Sequence, residues 1–285
     1  MIVSASYRTD IPAFHADWFA GRLAAGEVRV PNPYGGRPSV VSLRTGDVDG
    51  FIFWTRNAAP FLKVLEQARA IAPAMVTYTV TGYPRDLERG VPPVDQAVAT
   101  MNAVADRLGQ RALVWRYDPV IWTGATDADF HRQNFQHLAD RIAPLTDEVT
   151  FSAATLYAKS RRGLARSAPD LAVDDPADDA KRELLAELGT LAVERGLRPT
   201  LCSQPHLLVP PLVPAACIDA GRLADLGGAP FRARRKGNRP GCACAESRDI
   251  GRYDSCAHGC LYCYAVRDHD AMRRPGGLPD WTEPA

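Results

Sequence analysis

The feature that most limits the fold is an alternation of short apolar segments with longer segments of helical periodicity. The apolar segments resemble buried strands and cover residues 1–8, 50–57, 75–83, 112–121, 148–157 and 198–205. The helical segments lie between them, at residues 16–25, 59–70, 94–108, 127–142 and 179–195. Parallel strands need long crossover connections, which such helices provide. The alternation therefore predicts an α/β fold, specifically a partial TIM-like barrel of six β/α units.

The pattern changes after Pro205. Residues 206–285 are rich in proline, glycine and arginine, and they show helical periodicity only near residues 218–226. All seven cysteines lie at or after Cys202. We therefore predict a barrel domain at residues 1–205 and a cysteine-rich C-terminal extension at residues 206–285. The extension is expected to be held by metal and by docking on the barrel.

Composition narrows the class of protein. Hydrophobic residues make up 46% of the chain, enough for a substantial core without disulfides. The net charge of +1 gives no strong field that would attract nucleic acid or an anionic membrane. No apolar stretch reaches the roughly 18 residues of a membrane helix, and residues 1–10 lack the features of a signal peptide. We expect a cytoplasmic protein with reduced thiols and no membrane partner.

Polar side chains stand where the predicted strands end. In barrels of parallel strands, the carboxyl ends of the strands carry the chemistry. These residues are therefore candidates for a site, although polar residues also end strands that have no function. The set comprises Arg8, Asp10, Thr55, Arg56, Thr81, Arg116, Asp118, Ser152, Thr155, Ser203 and Gln204.

Three cysteines near the end of the chain are closely spaced. Cys256, Cys260 and Cys263 are separated by three and by two residues. Structural zinc takes four ligands, usually as two close pairs, whereas a [4Fe–4S] cubane offers four irons to closely spaced thiolates on a tight loop. Three thiolates leave one iron open to a small-molecule ligand. The spacing therefore favours an iron–sulfur cluster with an open iron.

Zinc is the competing interpretation. The three cysteines could be joined by Cys242 or Cys244 around one ion, and His258 could also serve as a ligand. In that case the protein would be a metal-stabilised binding module. An electron carrier is a further alternative.

The spacing C-x-x-x-C-x-x-C resembles that of the radical S-adenosylmethionine (radical SAM) enzymes. The segment "YCYA" at 262–265 is similar to that of spore photoproduct lyase and related proteins. The whole chain also resembles a bacterial family of unknown function marked by "SASYRTDIP" at 4–12, "RYDP" at 116–119 and "DIGxYxxCxxGCxYCYA" at 249–265. Most radical SAM enzymes carry the cysteines after the first strand, whereas here they follow the sixth.

The resemblance implies a radical SAM enzyme of lyase or oxidoreductase type. In that family the open iron chelates the amino and carboxylate groups of S-adenosylmethionine. Electrons from a reductant protein such as flavodoxin or ferredoxin cleave it to methionine and a 5′-deoxyadenosyl radical, which abstracts hydrogen from substrate. The candidate catalytic residues are Arg8, Asp10, Arg116 and Asp118, and the candidate cofactor-binding residues are Tyr262, Arg56, Thr55 and Ser152.

Four cysteines remain outside the motif: Cys202, Cys217, Cys242 and Cys244. Four is the number that a fully ligated [4Fe–4S] cluster needs, so a second, auxiliary cluster is a hypothesis. The alternative is that Cys202 and Cys217 are ordinary buried residues, since free cysteine is among the most buried types.

The substrate is not specified by the sequence. Residues 231–239 contain five basic residues in nine, a run that can contact phosphates or can simply be solvated. A small molecule, a peptide and a nucleic acid all remain candidate substrates.

Overall fold

The strands and helices follow the predicted alternation. The computed structural model describes residues 1–32, 35–156, 158–168, 171–231, 233–237 and 239–281. In this part of the chain the strands are Ile2–Ala5 (β1), Glu27–Val30 (β2), Ser39–Ser42 (β3), Gly50–Thr55 (β4), Ala74–Thr79 (β5), Leu113–Val120 (β6), Glu148–Ala153 (β7), Arg198–Leu201 (β8), Val213–Pro214 (β9) and Ser247–Asp249 (β10). The helices are Ile11–Phe14 (α1), Ala16–Ala25 (α2), Leu62–Ile71 (α3), Val94–Leu108 (α4), Ala128–Ile142 (α5), Ala158–Ser167 (α6), Asp178–Val193 (α7), Ala220–Gly227 (α8) and His269–Arg273 (α9).

One parallel sheet contains eight of the strands. Its order is β10-β1-β4-β5-β6-β7-β8-β9, whereas β2 and β3 form a separate antiparallel hairpin. The α/β class and all six predicted strands are confirmed, although Tyr157, at the end of the fifth, lies outside the described residues. No ladder joins β9 to β10 in the described part of the chain, so the sheet is open at these two strands.

The outer face of the sheet, defined by Phe51, Phe53 and Trp115, packs against the helices. These side chains alternate along β4 and β6, as the period of two in a strand requires. Phe19 of α2 contacts both Phe51 and Phe53, and Trp115 stacks on Phe135 of α5 at 5.0 Å. All five rings are fully buried, and each burial stabilises the fold by about 1.5–3 kcal/mol.

The inner face, defined by Ile52, Met75 and Val114, is covered by the C-terminal extension. Leu223 of α8 packs here, and a Cβ at Gly50 would lie only 2.7 Å from it. The extension also supplies both edge strands, since β9 pairs with β8 and β10 pairs with β1. Residues 1–205 and 206–285 therefore share one sheet. Among the described residues, none of the helices combines the length and the apolar composition needed to cross a bilayer.

A buried histidine joins β6 to α5. The Nε2 of His131 lies 3.1 Å from the carbonyl oxygen of Ile121, and its Nδ1 lies 2.9 Å from the hydroxyl of Tyr117. Asn134 donates to the same hydroxyl at 2.9 Å. This network needs a neutral imidazole with one donor and one acceptor. Burial lowers the pKa of His131 from 6.5 to about 4.

We predict that His131 makes stability depend on acid pH. The unfolded chain takes up this proton below pH 6.5 and the folded chain only near pH 4, so stability is lost as the pH falls between these values. The advantage of the wild type over His131→Gln in unfolding free energy should therefore shrink by about 3 kcal/mol over that range. Urea unfolding at several pH values measures it. His137→Gln, at an exposed position of the same helix, is the matched replacement control. A gap that stays constant would contradict the prediction.

Candidate functional site

The loop that carries Cys256, Cys260 and Cys263 lies over the carboxyl ends of β1 and β5. The hydroxyl of Thr9, just after β1, donates to the carbonyl oxygen of Ser255 at 2.9 Å. Beyond β5, Leu87 accepts a hydrogen bond from the amide of Leu261 at 3.0 Å, and Glu88 forms a β-bridge with Cys260. The C-terminal motif thus reaches the edge of the sheet where the first strand ends.

The three thiols are close enough to influence one another. Cys260 is buried, and Cys256 and Cys263 are partly buried. Burial raises the pKa of Cys256, and the neighbouring Asp10, Cys260 and Cys263 raise it further. Burial also raises the pKa of Cys260 to about 12, although Arg56 opposes the shift. Cys256 and Cys260 therefore stay protonated in this environment unless a metal or another cation stabilises their thiolates.

Asp10 joins three segments at this site. One carboxylate oxygen accepts from the amide of Ala13 at 2.9 Å and caps α1. The other accepts from the amide of Arg56 and from Nε2 of His258, each at 2.7 Å. The carboxylate thus holds the cysteine loop against β1 and β4. Both of its oxygens are engaged by the chain itself.

His258 presents a second ring nitrogen inside the protein. Its Nδ1 is buried and has no hydrogen-bond partner, and its ring lies edge-to-face with Phe14 at 4.6 Å. A histidine that donates to a carboxylate through one nitrogen is a common arrangement for a metal ligand. Within the described residues, however, no three histidine, cysteine, aspartate or glutamate side chains are grouped to hold one metal ion.

A buried arginine lies beside the thiols. Arg56 forms an ion pair with Glu88 at 2.8 Å and donates to the hydroxyl of Tyr262 at 2.5 Å. Tyr262 also donates to Glu88. Burial lowers the pKa of Arg56, but Cys260 and Glu88 raise it to a value well above the ordinary one. Arg56 is thus a fixed positive charge next to Cys260. The candidate residues Arg56 and Tyr262 do lie together with the motif.

Three other candidates lie together in a different place. The guanidinium of Arg116 pairs with Asp118, and the hydroxyl of Ser152 donates to the same carboxylate. The second nitrogen of Arg116 donates to the sulfur of Cys217 at 2.9 Å. Arg116, Asp118 and Ser152 therefore satisfy one another beside the remaining cysteines.

Those remaining cysteines form a second thiol group, composed of Cys202, Cys217, Cys242 and Cys244. The sulfurs of Cys202 and Cys217 are 3.6 Å apart. Cys217 also contacts Cys244, which in turn contacts Cys242. Cys242 and Cys244 therefore lie with Cys202 and Cys217 in this separate group, which does not favour the zinc knuckle that combines either of them with the C-terminal motif.

Two of the catalytic and cofactor-binding candidates are not brought to either group. Thr55 shares the outer face with Phe53, and its hydroxyl accepts from the amide of Asn57 at 2.8 Å. Thr55 therefore lies on the side of the sheet that faces the helices. Arg8 lies over the rings of Tyr7 and Tyr253, at 5.6 and 5.5 Å.

The basic run at 231–239 is partly neutralised. Arg234 and Lys236 both pair with Glu246, at 3.4 and 2.9 Å. Arg232 and Asn238 lie outside the described residues. The pairing weakens the case for a phosphate-binding surface.

Glu88 is a site residue that the sequence reasoning missed. It belongs to the loop after β5, where an acidic residue ordinarily remains in water, yet its side chain is almost fully buried. Nothing in the local sequence indicates that Arg56 and Tyr262 will enclose it. The only available signal was its position after the carboxyl end of a strand.

Comparison with known proteins gives one match. A family model described as "Domain of unknown function (DUF1848)" matches residues 2–265. No curated protein and no solved structure matches the chain.

We predict that Arg56 stabilises the site mainly by compensating Glu88. Arg56→Met leaves a carboxylate buried without its cation and should cost about 3 kcal/mol of unfolding free energy. Arg56→Met combined with Glu88→Gln should recover part of that loss. Urea unfolding of the two single variants and the double variant measures the coupling.

The exposed pair Arg107 and Glu66 provides the control, since Arg107→Met should cost under about 1 kcal/mol. If the double variant loses as much as the two single variants combined, the assigned ion pair is wrong.

Proposed function

The chain belongs to the DUF1848 family, and we propose that it is a radical SAM enzyme in which Cys256, Cys260 and Cys263 ligate a [4Fe–4S] cluster with an open iron. One observation carries the proposal: the loop with these thiols is folded over the carboxyl ends of the parallel strands, beside the buried cation Arg56. This edge of a parallel sheet is where α/β enzymes bind their ligands.

The conformation and hydrogen bonds of the loop support a cluster. Gly259 has a φ of +67°, a conformation that allows the tight turn between the first two cysteines. The amide of Cys263 donates to the carbonyl oxygen of Cys260 at 2.9 Å, and the amide of Ala265 donates to the sulfur of Cys263 at 3.3 Å. Hydrogen bonds to sulfur tune iron–sulfur clusters.

The separation of the donors also fits a cluster better than a single ion. Each thiolate of a cubane binds a different iron, so the sulfurs need not surround one point. No such single-ion grouping exists among the described residues, although Cys260 and Cys263 both raise the pKa of Cys256. This arrangement supports a cluster over the zinc alternative.

The chain's own residues would position and shield the chemistry. When bound, the cluster and S-adenosylmethionine supply one-electron cleavage of a carbon–sulfur bond and removal of a hydrogen atom from substrate. Arg56 provides a fixed positive charge for thiolates or for an anionic ligand group. Asp10 holds the loop in register, and Tyr262 adds an aromatic surface next to Arg56. We take the open sheet as a partial barrel, as the resemblance implies.

Anaerobic reconstitution with iron and sulfide tests the proposal. The protein should become brown, and its reduced cluster should give an EPR signal that changes when S-adenosylmethionine is added. Dithionite should then yield methionine and 5′-deoxyadenosine, measured by mass spectrometry. An electron carrier would contain a cluster that does not respond to S-adenosylmethionine, and stoichiometric zinc without iron would end the proposal.

We predict that Cys260→Ser removes about four iron atoms per chain and abolishes 5′-deoxyadenosine formation, because one of three cluster ligands is lost. Tyr264→Phe lies in the same loop and should retain both iron and cleavage. Thermal unfolding of each variant checks that the fold persists. Undiminished cleavage in Cys260→Ser would exclude this cysteine as a ligand.

A further inference from the structure

The second thiol group is a metal-binding candidate separate from the C-terminal motif. We propose that Cys202, Cys217, Cys242 and Cys244 bind a thiophilic metal centre of their own through four thiolates. The inference goes beyond the proposed function, because it concerns a different place in the fold and does not require S-adenosylmethionine.

The four sulfurs converge from three separate segments. Cys202 follows β8, Cys217 precedes α8, and Cys242 and Cys244 belong to one turn of the extension. The group lies on the inner face, among apolar residues that include Ile52 and Met75. Burial alone is consistent with cysteine as a small apolar residue. That role does not need contacts that link all four cysteines in a row, because any small apolar residue would pack as well.

Donors aimed at the sulfurs distinguish the two interpretations. Arg116 donates to Cys217 at 2.9 Å, and Arg239 donates to Cys202 at 3.6 Å. The amide of Ile218 donates to the sulfur of Cys244 at 3.3 Å. A neutral thiol is a weak acceptor, whereas a thiolate is a strong one. Arg239 is exposed, but Arg116 is buried, and placing its guanidinium in apolar surroundings is costly unless negative charge lies there.

The balance of charges in the second thiol group indicates that ionised thiols there need a metal. Four thiolates carry four negative charges, and the two arginines that contact them supply two positive charges. Arg116 also pairs with Asp118, so its charge is shared. A group of this kind in an apolar setting needs a cation to remain ionised. A metal centre supplies that charge.

The backbone is packed closely around this group. A Cβ at Gly237 would lie 2.4 Å from the Cβ of Cys242, and one at Gly241 would lie 2.8 Å from Pro205. Gly241 also has a φ of +76°, which a side chain would disfavour. These two glycines allow the turn with Cys242 and Cys244 to approach the loop after Cys202.

The thiols must move closer together to form one ligand set. The thiol contacts run as a row from Cys202 through Cys217 and Cys244 to Cys242, and no three of these sulfurs are grouped for one ion. Cys242 is at the end of the row and is partly exposed. Iron–sulfur and zinc centres share the four-thiolate chemistry, and metal analysis separates them.

Metal content per chain, measured after anaerobic purification, tests the inference. Cys217→Ser should lose one centre, seen either as about four iron with acid-labile sulfide or as about one zinc. It should keep the metal assigned to Cys260, and Cys260→Ser should show the reverse. Ala215→Ser is the matched control, because it adds a hydroxyl at a buried position of the same apolar group. It should retain all metal.

Two outcomes would overturn the inference. One is unchanged metal in Cys217→Ser and in Cys242→Ser, the second variant in case the first fails to fold. The other is wild-type protein in which Cys202 and Cys217 react with maleimide only after reduction, which would identify a disulfide. Loss of a centre in Cys217→Ser without any cleavage of S-adenosylmethionine by the wild type would leave this inference standing and remove the proposed function.

Discussion

The pairing of β10 with β1 is the constraint on which both thiol groups depend. Asp249 accepts hydrogen bonds from the hydroxyl of Ser6 at 2.8 Å and from the amide of Tyr7 at 3.0 Å. A Cβ at Gly251 would clash with Ser6, so only glycine allows the chain to pass there. Ile250 completes the junction by donating its amide to the carbonyl of Ser4 at 3.0 Å. The segment "DIG" therefore attaches the extension to the first strand.

This junction divides the extension into two parts with different positions. The part before β10 lies under the inner face, where Cys217 and Cys244 contact apolar side chains. The part after β10 lies over the carboxyl ends of the strands, where Cys260 meets Arg56. An arginine stands at each thiol group, and each arginine is also paired with a carboxylate. The two thiol groups thus have the same electrostatic arrangement at two different positions in the fold.

Periodicity predicted the sheet, but it did not predict the edges. The six predicted strands are evident because apolar or β-branched residues occupy most of their positions, whereas β10 contains the polar residues Ser247, Arg248 and Asp249. The hairpin of β2 and β3 and the two-residue strand β9 were also not predicted. Assigning a residue to a strand also does not predict which face of the sheet its side chain occupies. Arg56 reaches the thiols, whereas the adjacent Thr55 points to the outer face. The cysteine spacing identified the motif, but the burial of Glu88 depends on contacts made far along the chain.

The cysteine motif comes late in the sequence, and the order of the strands explains how it still lies near the end of the first strand. In a parallel sheet, the loop after each strand emerges at the same edge, so neighbouring strands place their following loops side by side. Here β1 is flanked by β4 and by β10, and the loops after β1 and β10 are therefore adjacent. Asp10 from the first loop and His258 from the last make a direct contact at 2.7 Å. A motif after the final strand thus lies beside the position that a motif after the first strand would occupy.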